Sequence, residues 1–116
     1  MPGKCVRGVV VEVSLDPVVG HEIAKRRPCV VIQNDIGNAT SHLTIVAVIT
    51  AAENVRRFYP VNVAVSKGDG GLTKDSVVLC NQIRTVDELR FARICGKLSD
   101  AAMQRVDQAL RISLAL

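Results

Sequence analysis

The sequence predicts a mainly β, α+β fold, in which short antiparallel strands form a partly closed barrel and a helix follows at the C-terminus. Hydrophobic residues make up 48% of the chain and aromatic residues only 3%, so the core must come from Val, Ile, Leu and Ala, which pack well in sheets. Strand-like segments also follow one another without crossover helices, which indicates antiparallel pairing. At 116 residues, we expect one domain that spans residues 1–116.

Alternation and turn residues predict the strands. Residues 9–15 alternate between two faces, and Asp16-Pro17 ends this strand. Pro28 can open a second strand, whose apolar residues 29–32 precede turn signals at residues 34–38. Further strands are predicted at about residues 43–49, 61–65 and 76–80, with a flexible glycine turn at residues 68–71 before the last of these.

A single helix is predicted near the end of the chain. Ser99 can cap it, and Asp100 suits the positive end of the helix dipole. Apolar residues then recur at helical spacing, at Met103, Val106, Leu110 and Leu114.

Charge and cysteine usage restrict the function classes. The net charge of +4 and the pI near 9.1 suit a polyanionic partner, although the scarcity of aromatics disfavours a base-stacking platform. The four cysteines are scattered without a C-x-x-C pair or a nearby histidine, so we expect no metal and no cofactor, but small buried thiols in a reducing cytoplasm. No leader or apolar run of membrane length is present, which predicts a cytoplasmic protein without a membrane partner.

The most informative segment is LDPVVGHEIAKRRPCVVIQNDIGN, residues 15–38. A basic loop with a glycine hinge opens directly into an apolar strand, which gathers His21, Glu22, Arg26 and Arg27 at one strand edge. Such an edge can present positive charge to a phosphate.

This segment resembles the MazF/PemK family of toxin endoribonucleases. The shared features are DP-x-x-G-x-E, an RP-leading strand followed by ND, and a strand that closes on Thr50. The resemblance continues through residues 74–79, 82–87 and 106–110, so it covers nearly the whole chain. It implies the SH3-like barrel that MazF shares with the gyrase poison CcdB.

The resemblance also implies a function and partners. The chain would be the toxin of a type II toxin–antitoxin system, a homodimeric mRNA interferase that cuts single-stranded RNA at a short sequence by 2′-oxygen attack. It would need no metal. A MazE-like antitoxin would inhibit it through an acidic C-terminal tail, and DNA would be bound only through that antitoxin.

Arg27 and Thr50 match the catalytic pair of the family. Arg27 precedes Pro28, which biases its backbone towards an extended conformation, and its guanidinium can grip a phosphate through two donors. Because guanidinium stays protonated, we expect it to stabilise the transition state or to donate a proton rather than act as a base. The alternative is a solvated arginine at a strand end and a threonine that forms a turn.

The general base is either Glu22 or His21. Glu22 matches the G-x-E position, whereas His21 carries an imidazole, a side-chain type suited to acid–base work at neutral pH, but stands where many relatives have serine. The sequence leaves both open.

Several polar and aromatic side chains are candidates for RNA binding. Charge and aromatic rings coincide at residues 56–60, where a single strand could be held and its bases stacked, unless the aromatics fold into the barrel. Two residues match the family's Q-I-R run, and an asparagine could read a base edge or form an Asx turn. The RNA-binding candidates are Asn34, Arg56, Arg57, Phe58, Pro60, Gln82 and Arg84.

Two departures from the family pattern are evident. Val9 follows Arg7-Gly8 where many relatives have a carboxylate, and Asn81 precedes Gln82 where an acidic residue is frequent. The departure at Asn81 bears on base preference more than on activity.

Two other functions stay open: a non-enzymatic toxin of the CcdB type that poisons a topoisomerase, and a catalytically decayed module that binds an antitoxin. The Glu22, Arg27 and Thr50 constellation separates the first of these from an endoribonuclease, because a poison does not need it.

Overall fold

The computed structural model describes residues 5–15, 19–21 and 26–116. In these ranges one antiparallel sheet is ordered β4-β5-β3-β2-β1-β6. Its edge strands β4 and β6 do not pair with each other, so the barrel is only partly closed, and the predicted fold class is confirmed. The elements are β1 (Val9–Ser14), β2 (Arg26–Val31), α1 (Asp35–Thr40), β3 (Leu43–Ala51), β4 (Asn62–Val65), β5 (Ser76–Asp87), β6 (Phe91–Lys97) and α2 (Asp100–Leu114).

The predicted alternation of β1 matches the core. Val11, Val13 and Leu15 are buried in one apolar cluster with residues from β2, β3 and β5, whereas Val10 points into a second cluster. Because successive side chains of a strand point to opposite faces, β1 separates these two clusters. The second cluster lies beneath α2.

Helix α2 confirms the predicted C-terminal helix and its cap. The Ser99 hydroxyl accepts a hydrogen bond from the Ala102 amide at 3.2 Å, and the Asp69 carboxylate accepts from both the amide and the hydroxyl of Ser99 at 2.8 Å. Val106 is fully buried, but Leu114 is 48% exposed. The predicted apolar face therefore covers the core along most, not all, of the helix.

Helix α1 and strand β6 are absent from the sequence prediction, and β5 is longer than predicted. Within α1 the buried residue is Asn38, so no apolar periodicity marks the helix. Strand β6 contains no buried residue, which hides its alternation. Strand β5 continues to Asp87 instead of ending at Cys80, because its second half is polar.

A buried amide network explains why α1 forms. Asn38 is 1% exposed. Its Nδ2 donates to the Gln33 carbonyl at 3.0 Å and to the Asp35 carboxylate at 3.2 Å, while its Oδ1 accepts from Gln33 Nε2 at 3.0 Å and from the Thr44 hydroxyl at 2.7 Å. Asp35 also accepts from the Arg7 amide at 2.8 Å. That bond first, and then the one from Asn38, lowers the pKa of Asp35.

Strand β5 contains an irregularity beside β3. Ala47 lies opposite Ile83 and the next β3 residue, Val48, lies opposite Leu79. Three β5 residues, 80–82, are therefore inserted where β3 advances by a single residue. Bulged strands bend and redirect side chains, and here Cys80 is buried while Asn81 is exposed.

The glycine turn before β5 is tightly packed rather than flexible. Gly70 and Gly71 have φ values of +64° and +73°, which favour glycine. A Cβ atom on Gly71 would overlap the carbonyl oxygen of Cys95 in β6. The turn therefore depends on glycine for contact as well as for conformation.

The cysteines are free thiols. Cys5, Cys29 and Cys80 are buried and Cys95 is half-buried, which confirms the small apolar role predicted for the first three. Burial raises the pKa of Cys29 to about 12 and that of Cys80 to about 11. Among the elements that the structure describes, no helix has the length and apolar character needed to cross a bilayer.

Candidate active site

A cavity of about 490 Å³ lies where β2 begins, β3 ends and β5 bulges. It brings together residues that lie far apart in the sequence, including five of the predicted site residues. These five are Arg27, Thr50, Arg56, Arg57 and Gln82. The other lining residues are Asn54, Val55, Tyr59, Asn62, Leu79 and Asn81.

The pairing of β2 with β3 explains why Arg27 and Thr50 meet. Cys29 lies opposite Val48, and Val30 lies opposite Ala47. The same register continued by two positions sets Arg27 opposite Thr50, and opposite residues of an antiparallel pair share a face. Thr50 lies within β3 and is 6% exposed, so the alternative of a turn-forming threonine is wrong.

The hydroxyl of Thr50 is held by a neighbouring turn. Residues Ala52–Asn54 form a single 3-10 turn directly after β3. From its end, Asn54 Nδ2 donates a hydrogen bond to Thr50 Oγ1 at 3.1 Å. A nearly buried hydroxyl thus has a fixed neighbour on the cavity wall.

The cavity is positively charged. Arg27, Arg56 and Arg57 line it, and none of its described lining residues is acidic. Arg56 and Arg57 are exposed and form no ion pair with any residue in the described ranges. Asn81 and Gln82 add side-chain amides to the same lining, which therefore suits an anion such as a phosphodiester.

The loop between β3 and β4 divides its aromatic residues between two cavities. Tyr59 faces the arginine-lined cavity, while Phe58 and Pro60 line a cavity of about 840 Å³ between β4 and α2. Phe58 is 56% exposed and Tyr59 is 51% exposed, so the alternative in which these rings fold into the barrel is wrong. Asn62 lines both cavities and accepts a hydrogen bond from the Tyr59 amide at 2.8 Å.

Besides Phe58 and Pro60, two more RNA-binding candidates, Asn34 and Arg84, lie outside the arginine-lined cavity. Asn34 caps α1, where its side chain accepts from the Gly37 amide at 2.8 Å, in agreement with the turn-forming alternative. Arg84 donates to the Leu15 carbonyl at 2.8 Å, so its guanidinium secures the end of the first strand segment.

Neither base candidate is among the described lining residues of the cavity. His21 is exposed and does not line the cavity. Glu22 lies outside the described residues. The described part of the cavity wall therefore supplies hydrogen-bond donors and cations but no carboxylate or imidazole.

Sequence reasoning missed Asn54 and Asn62 as cavity residues. Tyr59 belongs to the segment 56–60 in which the sequence predicts stacking, but the side on which its ring lies depends on the loop path. Asn54 follows Thr50 by four positions, a spacing that brings side chains together only once a turn is known to follow the strand. Asn62 opens β4 and is 8% exposed, and nothing in the sequence marks it.

Comparison with known proteins gives consistent relatives. Residues 6–114 match the model of the family described as PemK-like, MazF-like toxin of type II toxin-antitoxin system. The chain is 46% identical over 110 residues to "Endoribonuclease EndoA" of Bacillus subtilis (strain 168), which covers 95% of this chain and 94% of that protein.

Solved structures share the fold. MazF from Deinococcus radiodurans superposes with a TM-score of 0.82 at 23% identity, covering 98% of this chain and 99% of that one. An endoribonuclease in complex with its cognate antitoxin, from Mycobacterial species, superposes with a TM-score of 0.79 at 23% identity, covering 96% and 95%.

Proposed function

Because the chain belongs to the PemK-like, MazF-like family of toxins of type II toxin–antitoxin systems, we propose that it is a metal-independent endoribonuclease that cleaves single-stranded RNA. The observation that carries the proposal is the cavity in which Arg27 and Thr50 meet two further arginines without a described acidic neighbour. Such a lining favours a phosphodiester and the extra negative charge that develops on it.

In this proposal the RNA supplies its own nucleophile, so no metal-activated water is required. A base removes the proton of the 2′-hydroxyl, the 2′-oxygen bonds to phosphorus, and the bond from phosphorus to the 5′-oxygen breaks. The departing 5′-oxygen takes a proton. The products are a 2′,3′-cyclic phosphate or, after hydrolysis, a 3′-phosphate, together with a 5′-hydroxyl.

The residue roles follow from position and chemistry. Arg27 offers two donors to the non-bridging oxygens and can protonate the departing oxygen, while Thr50 binds the phosphate. The base is Glu22 or His21, which precede β2 in the sequence. The roles of Arg27 and Thr50 rest on the matching motifs and on the cavity lining, whereas the two base candidates rest on the sequence alone.

Substrate binding extends over the rest of the cavity wall. Arg56 and Arg57 hold neighbouring phosphates, and the exposed ring of Tyr59 offers a stacking face. Asn81 and Gln82, which lie in the irregularity of β5, have the amide donors and acceptors needed to read base edges.

Assembly and regulation complete the proposal. Residues 1–116 act as one toxin domain in the cytoplasm, as a homodimer with RNA across the interface. A MazE-like antitoxin inhibits the toxin by laying an acidic C-terminal tail along the arginine-lined cavity, where carboxylates imitate phosphates. DNA is bound only through the antitoxin.

The test is direct mapping of cleavage ends. Purified protein is incubated with a long mixed RNA in EDTA, and newly formed 5′-hydroxyl ends are ligated and sequenced. We expect ends at one short sequence, which disappear with Arg27→Ala protein. Folded wild-type protein that leaves the RNA intact would contradict the proposal and favour a toxin that acts by binding alone.

A further inference from the structure

Asn54 is the side chain that contacts the hydroxyl of Thr50 in the described structure. Its Nδ2 donates to Thr50 Oγ1 at 3.1 Å, and both residues line the arginine-rich cavity. Thr50 is 6% exposed, whereas Asn54 is exposed. The contact therefore joins a sheltered group at the end of β3 to the rim of the cavity.

This contact determines how the hydroxyl can be used. A threonine hydroxyl has one proton to donate and two lone pairs that accept. Because Asn54 Nδ2 occupies a lone pair, the proton of Thr50 must point elsewhere, and a donor that faces the cavity can bind a phosphate oxygen. From this geometry we propose that Asn54 is a positioning residue, which orients Thr50 as a hydrogen-bond donor to the phosphate that is cleaved; this inference rests on the proposed function.

The turn that presents Asn54 is fixed at both ends. The Ala52 amide donates to the Asp75 carbonyl at 2.8 Å, and the Val55 amide donates back to the Ala52 carbonyl at 3.0 Å. The ion pair of Lys74 with Glu53 at 3.0 Å is solvent-exposed, with 65% and 68% of the two side chains accessible, so it adds little to the hold on this turn. Donors held in place before the substrate arrives need no reorganisation during the reaction, and this turn supplies such preorganisation.

The polarity of the side chain provides the sharpest test. Asn54→Ala removes the donor and leaves the hydroxyl free to rotate. Asn54→Asp has nearly the same shape but puts an acceptor in place of the donor, so it draws the Thr50 proton away from the cavity. We therefore expect cleavage rates to fall in the order wild type, Asn54→Ala, Asn54→Asp.

A double-mutant cycle with Thr50→Val isolates this effect. Single-turnover cleavage of a short RNA that contains the mapped site gives the rate, and binding of the same RNA with a 2′-deoxy nucleotide at that site gives the affinity. We expect Asn54→Ala to slow cleavage about tenfold, the equivalent of one ordinary hydrogen bond, with unchanged affinity. In the Thr50→Val background, where no hydroxyl remains, Asn54→Ala should have no further effect.

Glu53→Ala is the matched control, because it alters the same turn without touching Thr50, and it should cleave at the wild-type rate. If Asn54→Ala slowed cleavage equally with and without the Thr50 hydroxyl, the positioning role would be overturned. Weaker binding of the deoxy RNA at an unchanged cleavage rate would also overturn it, because Asn54 would then contact the RNA directly. A wild-type protein that does not cleave would overturn the proposed function, and this role with it.

Discussion

Replacement of Asn38 by alanine tests whether the buried amide network holds α1 in place. The side chain is 1% exposed and bonds to Gln33, Asp35 and Thr44. This asparagine belongs to the motif that resembles the toxin family, yet its contacts lie within the protein. The expected result of Asn38→Ala is therefore a loss of stability.

The magnitude follows from the partners that remain. Gln33 Nε2 keeps the Leu43 carbonyl at 3.1 Å, and Asp35 keeps the Arg7 amide at 2.8 Å. The Thr44 hydroxyl, at 1% exposure, loses the acceptor with which the structure pairs it. One orphaned buried hydroxyl costs about 1–3 kcal/mol, and one or two lost neutral hydrogen bonds add about 0.5–1.5 kcal/mol each. Asn38→Ala should therefore lower the free energy of unfolding by roughly 1.5–6 kcal/mol.

Urea denaturation at one fixed protein concentration measures this loss of stability. A double-mutant cycle with Thr44→Val tests its cause. Valine removes the hydroxyl that alanine at position 38 would orphan, so Asn38→Ala should cost about 1–3 kcal/mol less in the Thr44→Val background. Strict additivity of the two substitutions, or a loss below about 1 kcal/mol for Asn38→Ala alone, would refute the reasoning.

Three further predictions concern catalysis, acid stability and the glycine turn. Arg27→Ala should slow single-turnover cleavage by on the order of a hundredfold to a thousandfold with fold and dimer intact. Arg27→Lys should also show a large defect, because lysine cannot bind the phosphate through two donors. Near-normal cleavage by folded Arg27→Ala protein would contradict the proposed active site. Hydrogen bonds from Arg7 and Asn38 lower the pKa of Asp35 from its ordinary 3.8, so its ionised form stabilises the fold above that value and this stabilisation is lost as pH falls through the lowered pKa. Asp35→Asn should therefore reduce the loss of unfolding free energy in acid, and an unchanged profile of unfolding free energy against pH would contradict this. Gly71→Ala should destabilise the protein more than Gly68→Ala, since both positions have positive φ but only the Cβ at position 71 meets backbone atoms. Equal decreases in the thermal unfolding temperature of the two variants would exclude this contact as the cause.

The parts of the fold that the sequence predicts are those with a regular apolar pattern. Helix α2 buries one face against the core. Strand β1 sends Val11 and Val13 into one cluster and has Glu12 and Ser14 on the opposite side. Their periods of about 3.6 and two residues are therefore visible in the sequence. Helix α1 and strand β6 are positioned instead by polar contacts and by backbone approach. Asn38 buries an amide, and Gly71 allows the backbone of Cys95 to come close. Neither leaves a periodic signal.

The candidate site is predicted in part for a similar reason. Arg27 and Thr50 are marked by the family motif and lie on paired strands, so the sheet itself brings them together. The position of Arg84 at the Leu15 carbonyl, and the split of Phe58 from Tyr59, depend on side-chain direction and loop path. These features are set by tertiary packing, which no local pattern in the chain records.

The irregularity of β5 separates the two side chains that we propose to contact RNA from the neighbouring residues that pair with β3. Leu79 and Ile83 lie opposite Val48 and Ala47 of β3. Asn81 and Gln82, which lie between Leu79 and Ile83 in the sequence, contribute side chains to the cavity. We therefore expect substitutions at positions 81 and 82 to leave the strand register intact. If these residues read the RNA as proposed, toxins on this scaffold can diverge in the sequence they cut while they keep the same barrel. A library randomised at these two positions is accordingly a compact starting point for the selection of ribonucleases with altered cleavage sites.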